Sequence, residues 1–183
     1  IPFGTANDFA NGCRIPLAPR DALLLAAEGE IHPIDVGQAN DQYFLNVASG
    51  GLGAEVTANS PKEMKDALGG AAYSLMGVVT AMKMRPYQAT FSSEGKSEAG
   101  LMLIMSVGNG KQCGGGFQVA PNALLDDGLL DVLVVHDIEV GKMGVIFNEL
   151  LTIDNPANQY VSYVQVPSLQ IKSDRPLQLN LDG

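Results

Sequence analysis

The chain has 183 residues, enough for one sizeable core or two small ones. Apolar residues make up 46% and charged residues 17%, a balance that argues against intrinsic disorder. The formal net charge of −9 argues against a nucleic-acid binder and against docking on anionic lipid through a broad basic patch.

Residue 1 is Ile, and Ile1-Pro2-Phe3 reads as the end of a strand whose beginning is missing, so a piece of a longer protein is expected. Gly4-Thr5-Ala6-Asn7-Asp8-Phe9-Ala10 follows and is open to two readings. Asn7 or Asp8 caps a helix that starts at Phe9. Alternatively, Gly4 and Thr5 reach a phosphate while Asp8 holds a magnesium-bound water. Pro19 to Gly29 reads as a short helix ended by its glycine. Ile31 to Val36 reads as a strand, and Tyr43 to Val47 as another that runs into Ser49-Gly50-Gly51-Leu52-Gly53.

Ser60-Pro61-Lys62-Glu63 carries a capping serine, a proline at the first helical position and a glutamate three residues after the cap. Met64, Leu68, Ala71, Leu75, Val78 and Met82 follow at helical spacing until Pro86. That stripe is an ordinary core face or, because Met is adaptable, one wall of a lipid cleft. From Gln88 onward the pattern is of strands. Leu101 to Val107 is apolar throughout, as a strand buried on both faces is. Leu129 to Val135 is a further strand, a helix covers Val140 to Ile153, and Leu169/Ile171 and Leu177/Leu179/Leu181 alternate with polar neighbours. No apolar run approaches the roughly 20 residues that span a bilayer.

Gly108-Asn109-Gly110-Lys111-Gln112-Cys113-Gly114-Gly115-Gly116 has five glycines in nine residues directly after a buried strand. Such a loop bends around a ligand or makes a tight turn with a bulge, and it lacks Walker A spacing. Asp126-Asp127-Gly128 either clamps a cation with backbone carbonyls or is a hairpin turn. Cys13 and Cys113 are far apart and read as free thiols of a reducing compartment. His32 and His136 have no ligand partners at metal spacing and read as structural or solvent-facing. Trp is absent and aromatics are 6%, so base-stacking platforms are not expected.

In order, these stretches resemble the diacylglycerol kinase catalytic-domain family, and within it the bacterial YegS-like soluble lipid kinases. The stretches are Pro2 to Ala10, Ile34-Asp35-Val36-Gly37, Phe44 to Gly53, Gly108-Asn109-Gly110 with Gly114-Gly115-Gly116, Pro121 to Leu130, and Asn180-Leu181-Asp182-Gly183. The resemblance implies an α+β, mainly β fold. Residues 1–35 would be the remnant of an N-terminal α/β ATP-binding domain, and residues 36–183 a C-terminal β-sandwich-like domain with attached helices.

It also implies an ATP-dependent lipid kinase that acts on a diacylglycerol, phosphatidylglycerol or sphingoid-type hydroxyl at the membrane surface. Gly4, Thr5 and Asn7 would lie at the nucleotide. Asp8 and Asp35 would belong to an aspartate–water–Mg²⁺ network. Asp127 and the Leu129 carbonyl would form a second divalent site, for Mg²⁺ or Ca²⁺. A cytoplasmic, transiently membrane-associated enzyme is expected, with no transmembrane segment and no nucleic-acid partner, and a homodimer stays open. The family's GGDGT motif is absent here, as is the glutamate that usually follows Asn-Leu-Asp-Gly as the general base, so the 183 residues alone are expected to be inactive. Two other readings remain: an NAD-kinase-like phosphotransferase, and a non-catalytic lipid-binding or regulatory module on the same fold.

Overall fold

Pro19 at the first helical position and Gly29 just past the end bracket a ten-residue helix. In the computed structural model, which describes residues 1–51, 85–137 and 142–183, this is α2 (Pro19–Glu28), preceded by the short α1 (Asp8–Gly12). A Cβ at Gly29 would collide with the Leu25 carbonyl, which explains the glycine there. The expected strand from Ile31 to Val36 does not form, and these residues have no regular structure. Ile31 is 96% exposed, and the Asp35 amide donates to the Leu125 carbonyl (2.6 Å) rather than to a neighbouring strand. The expected Ser60–Met84 helix, Leu52, Gly53 and Val140 lie outside the described residues.

The sheet is organised by one long strand. A hairpin joins β1 (Gly37–Ala39) to β2 (Gln42–Phe44), and β3 (Val47–Gly51) follows. β4 (Tyr87–Ser93) and β5 (Lys96–Gly108) form a hairpin through Glu94 and Gly95. Both have positive φ, 48° and 77°, as a two-residue primed turn requires. The first half of β5 pairs with β4. Its second half pairs with β3 (Val47↔Gly108) and also with β8 (Leu130–His136; Gly108↔Asp131). The short β6 (Gln112–Cys113) and β7 (Phe117–Gln118) make a separate ladder. β9 (Val161–Val166) extends the sheet beyond β8, β10 (Gln170–Ser173) beyond β4, and β11 (Leu179–Leu181) beyond β3. All pairings in this seven-stranded sheet are antiparallel.

Each face of the sheet has its own core, because the strand period is two. Val132 and Val134 join Met102, Met105 and Tyr87 on one side. Leu133 and Val135 join Ala120, Ile146 and Ile153 on the other, under α3 (Met143–Leu151). The continuous apolar run of β5 is therefore buried on both faces at Met102, Leu103, Met105 and Val107. Helix α3 stops at Leu151, two residues before the expected Ile153. Glu149, 6% exposed, ties it down by accepting from the Gln159, Tyr160 and Val161 amides at 3.0, 2.8 and 3.0 Å. Among the described residues, no helix is long and apolar enough to cross a membrane.

Candidate functional site

The N-terminal motif closes on itself before it reaches the sheet. The Gly4 amide donates to Asn7 Oδ1 (2.9 Å), and Asn7 Nδ2 donates to the Gly4 carbonyl (2.8 Å). Asn7 has φ 50° and makes no side-chain cap, so the helix-cap reading of Asn7 is not realised. Asp8 opens α1 but does not cap it either. Its carboxylate crosses to the glycine loop, where Oδ2 accepts from the Gly115 amide (2.9 Å) and Oδ1 from the Gly116 amide (2.8 Å). Gly114, Gly115 and Gly116 have φ of 63°, 88° and 101°. This left-handed run aims successive N–H groups at one anion. The glycine loop bends around a carboxylate of its own chain. Thr5 is exposed.

Asp35 is held from three sides. Its amide donates to Leu125, its Oδ2 accepts from the Gly128 amide (2.7 Å), and its carbonyl accepts from Asn109 Nδ2 (3.0 Å). Asn109, 1% exposed, also donates through Nδ2 to the Leu45 carbonyl (2.8 Å). The Asn109 and Gly110 amides both donate to the Asn46 carbonyl at 2.8 Å. Asn46 Nδ2 donates to the Gln112 carbonyl (3.0 Å), and the Gln112 side chain faces Asp8. A continuous chain of hydrogen bonds thus links Asp8, Gln112, Asn46, Asn109 and Asp35. Asp182 anchors it by accepting from the Leu45, Asn46 and Val47 amides at 2.8, 2.9 and 3.1 Å.

Asp127 Oδ1 accepts from the Leu129 amide (3.0 Å), and Gly128 has φ 71°. This turn leads into β8, whose partners are β5 and β9, so it is not the hairpin turn its sequence suggests. Its Gly128 amide serves Asp35 instead. The turn's segment is also held at Asn122, whose amide donates to the Tyr163 hydroxyl (3.2 Å). Tyr163 in turn donates to the fully buried Asp131, as does Gln165 Nε2 (3.3 Å). Burial pushes the Asp131 carboxyl up against the pull of these two bonds. Burial and its bond to Asp131 hold the Tyr163 phenol well above its usual range.

Both cysteines are free, as expected. Burial, then the Asp8 carboxylate, pushes the Cys113 thiol up to about 11. His32 is exposed beside Glu30, and His136 is structural, bonded to the Leu101 carbonyl and Ser162. No three His, Cys, Asp or Glu side chains converge as a metal cluster among the described residues. Both Asp8 oxygens accept glycine amides, whereas Asp35 Oδ1 carries no hydrogen bond among the described residues and is the oxygen free to meet a hydrated hard cation. Asp127 Oδ2 is likewise without a hydrogen bond there.

Between α1 and Ala123–Leu125 lies an apolar recess of about 180 Å³, with Asn46, Gly110 and Lys111 closing its third side. Asn46, Asn109, Gln112 and Asp182 lie in stretches that stand out in the sequence, but the sequence assigns none of them a role. The one local signal was an asparagine between two glycines at the end of a buried strand.

Fold and site together define a mainly antiparallel β domain with a short helical segment docked by an aspartate on its glycine loop. The chain belongs to the family described as the YegS C-terminal NAD kinase beta sandwich-like domain, whose model matches residues 46–183. Residues 1–39 match the diacylglycerol kinase catalytic domain. A Chromohalobacter salexigens protein named "Probable lipid kinase YegS-like" is 42% identical over the whole chain, which covers 59% of that protein. A Pseudomonas aeruginosa protein of the same name is 40% identical, and the chain covers 60% of it. A crystal structure of a diacylglycerol kinase from Bacillus anthracis superposes with a TM-score of 0.73 at 26% identity, and the chain covers all of itself and 60% of that structure. The chain thus spans about three fifths of the length of these relatives. The α+β, mainly β fold class and the family resemblance both hold.

Proposed function

We propose that the protein carrying this chain is an ATP-dependent kinase that phosphorylates a lipid hydroxyl. The observation that carries the reading is the hydrogen-bond chain joining Asp8 to Asp35, in a chain whose relatives are named lipid kinases. Phosphoryl transfer is mostly positioning and neutralisation of phosphate charge. Carboxylates held by backbone N–H groups suit that task, since they lose little freedom when they orient a ligand. Asp8 and Asp35 would hold Mg²⁺, which would supply positive charge to neutralise the phosphates.

In this reading Gly4, Thr5 and Asn7 line the nucleotide side. The Gly4–Asn7 pair shapes that loop, and the exposed Thr5 hydroxyl is available to a phosphate. Asp127 and the Leu129 carbonyl supply oxygen donors for a second divalent ion, Mg²⁺ or Ca²⁺, that stiffens the segment capping Asp35. The enzyme works from the cytoplasm and touches the membrane only to collect its substrate. The test is transfer from labelled ATP by the full-length protein to a panel of diacylglycerol, phosphatidylglycerol and sphingosine, with NAD as the soluble acceptor. Label in a lipid supports the proposal. Label in NAD alone moves the protein to the NAD-kinase reading, and tight lipid binding without transfer makes it a binding module.

A further inference from the structure

We infer that the recess between α1 and Ala123–Leu125 receives the apolar part of the acceptor that adjoins its reacting hydroxyl. This rests on the lipid-kinase reading. One wall is Phe9, Gly12 and Cys13, and the other is Ala123, Leu124 and Leu125. On the third side the side-chain NH₂ and the carbonyl of Asn46 are already engaged. Asn46 Nδ2 donates to Gln112, and the Asn46 carbonyl receives two amides. Water in the recess finds few partners, while an apolar segment loses nothing by entering.

Its volume of about 180 Å³ is below the roughly 300–1,000 Å³ of sites that enclose a whole drug-sized ligand. It therefore takes a segment of a lipid, not the molecule. Its position fits that role. Phe9 follows Asp8 directly on α1, and the Leu125 carbonyl on the opposite wall holds the Asp35 amide. Neither carboxylate lines the recess, so an apolar group seated there leaves its neighbouring hydroxyl outside it, beside the residues that adjoin Asp8 and Asp35.

Gly12 gives the test, because it lines the recess and a Cβ built on it meets nothing within 4 Å. In the full-length protein, Gly12→Leu raises KM for dioctanoylglycerol about tenfold, the equivalent of losing about two buried methylenes, and leaves KM for ATP unchanged. Gly144→Leu, at another unobstructed glycine on α3, changes neither. In parallel, dioctanoylglycerol slows alkylation of Cys13 by N-ethylmaleimide. Unchanged KM for the lipid, or a rise in KM for ATP, overturns the inference. If the wild-type protein phosphorylates no lipid, the lipid-kinase reading fails, and the Cys13 protection decides the recess by itself: protection keeps it as an apolar-ligand site and unaltered alkylation removes it.

Discussion

Asp8→Asn probes the contact that docks the N-terminal motif on the sheet domain. The carboxylate accepts two amide hydrogen bonds, one on each oxygen, at 2.9 and 2.8 Å. Hydrogen bonds to a charged acceptor are each worth about 1.5–3 kcal/mol, and neutral ones about 0.5–1.5 kcal/mol. An asparagine keeps one oxygen and turns an NH₂ toward the other amide. The gross loss is about 2–4 kcal/mol, and because Gly115 and Gly116 are exposed and rehydrate, about 1–2 kcal/mol remains. That corresponds to about a tenfold rise in the open population of the loop. Amide hydrogen exchange read by NMR tests it. The Gly115 and Gly116 amides exchange about tenfold faster in the variant, while Met105 and Val134 in the core keep their rates. Unchanged exchange at the two glycines would refute the docking role of Asp8. An equal acceleration in the core would show that the substitution loosens the whole domain.

Three further expectations follow from the same geometry. Glu149→Ala leaves three amides of the 159–161 segment without an acceptor and costs about 3–5 kcal/mol in denaturant titration. Glu149→Gln keeps the oxygen that serves Tyr160 and Val161 and costs about 1–2 kcal/mol, so equal losses would sink this assignment. At pH 8 Cys13 is alkylated before Cys113, whose thiolate fraction is about a thousandth with a pKa of about 11. Mass spectrometry follows the reaction: Cys113 speeds up as pH rises toward 11 and speeds up again in Asp8→Asn, which removes a charge that holds the thiol up. Asp182→Ala frees the Leu45, Asn46 and Val47 amides and lowers stability by about 2 kcal/mol. The amide shifts of Asn109 and Gly110 move with it, and shifts confined to residues 45–47 would contradict the linked network.

What the sequence conveyed was local. The apolar run at Leu101–Val107 announced a strand buried on both faces, and β5 is that strand. Pro19 and Gly29 marked α2 because the helix needs those residue types at those ends. The same local logic misplaced Ile31–Val36, where apolar residues alternate without a neighbouring strand to pair with. It also made Asp127-Gly128 a hairpin turn, when the Gly128 amide is used by Asp35, 93 residues away in sequence. The amide network is invisible for the same reason. Asp182 meets Leu45 across 137 residues, and Asn109 meets Leu45 across 64. No period or motif encodes such pairs. Asp8 was raised by its own motif and Asp35 through family likeness, and the structure adds what holds each of them.

The most direct test of the account is transfer of labelled phosphate from ATP to lipid by the full-length protein, beside its Asp8→Asn and Asp35→Asn forms. The account predicts a labelled lipid in the wild type and a loss of at least about a hundredfold in each variant, with the thermal midpoint lowered by only a few degrees. Lipid labelling that survives both substitutions would contradict it, because the two carboxylates would then stand outside the chemistry.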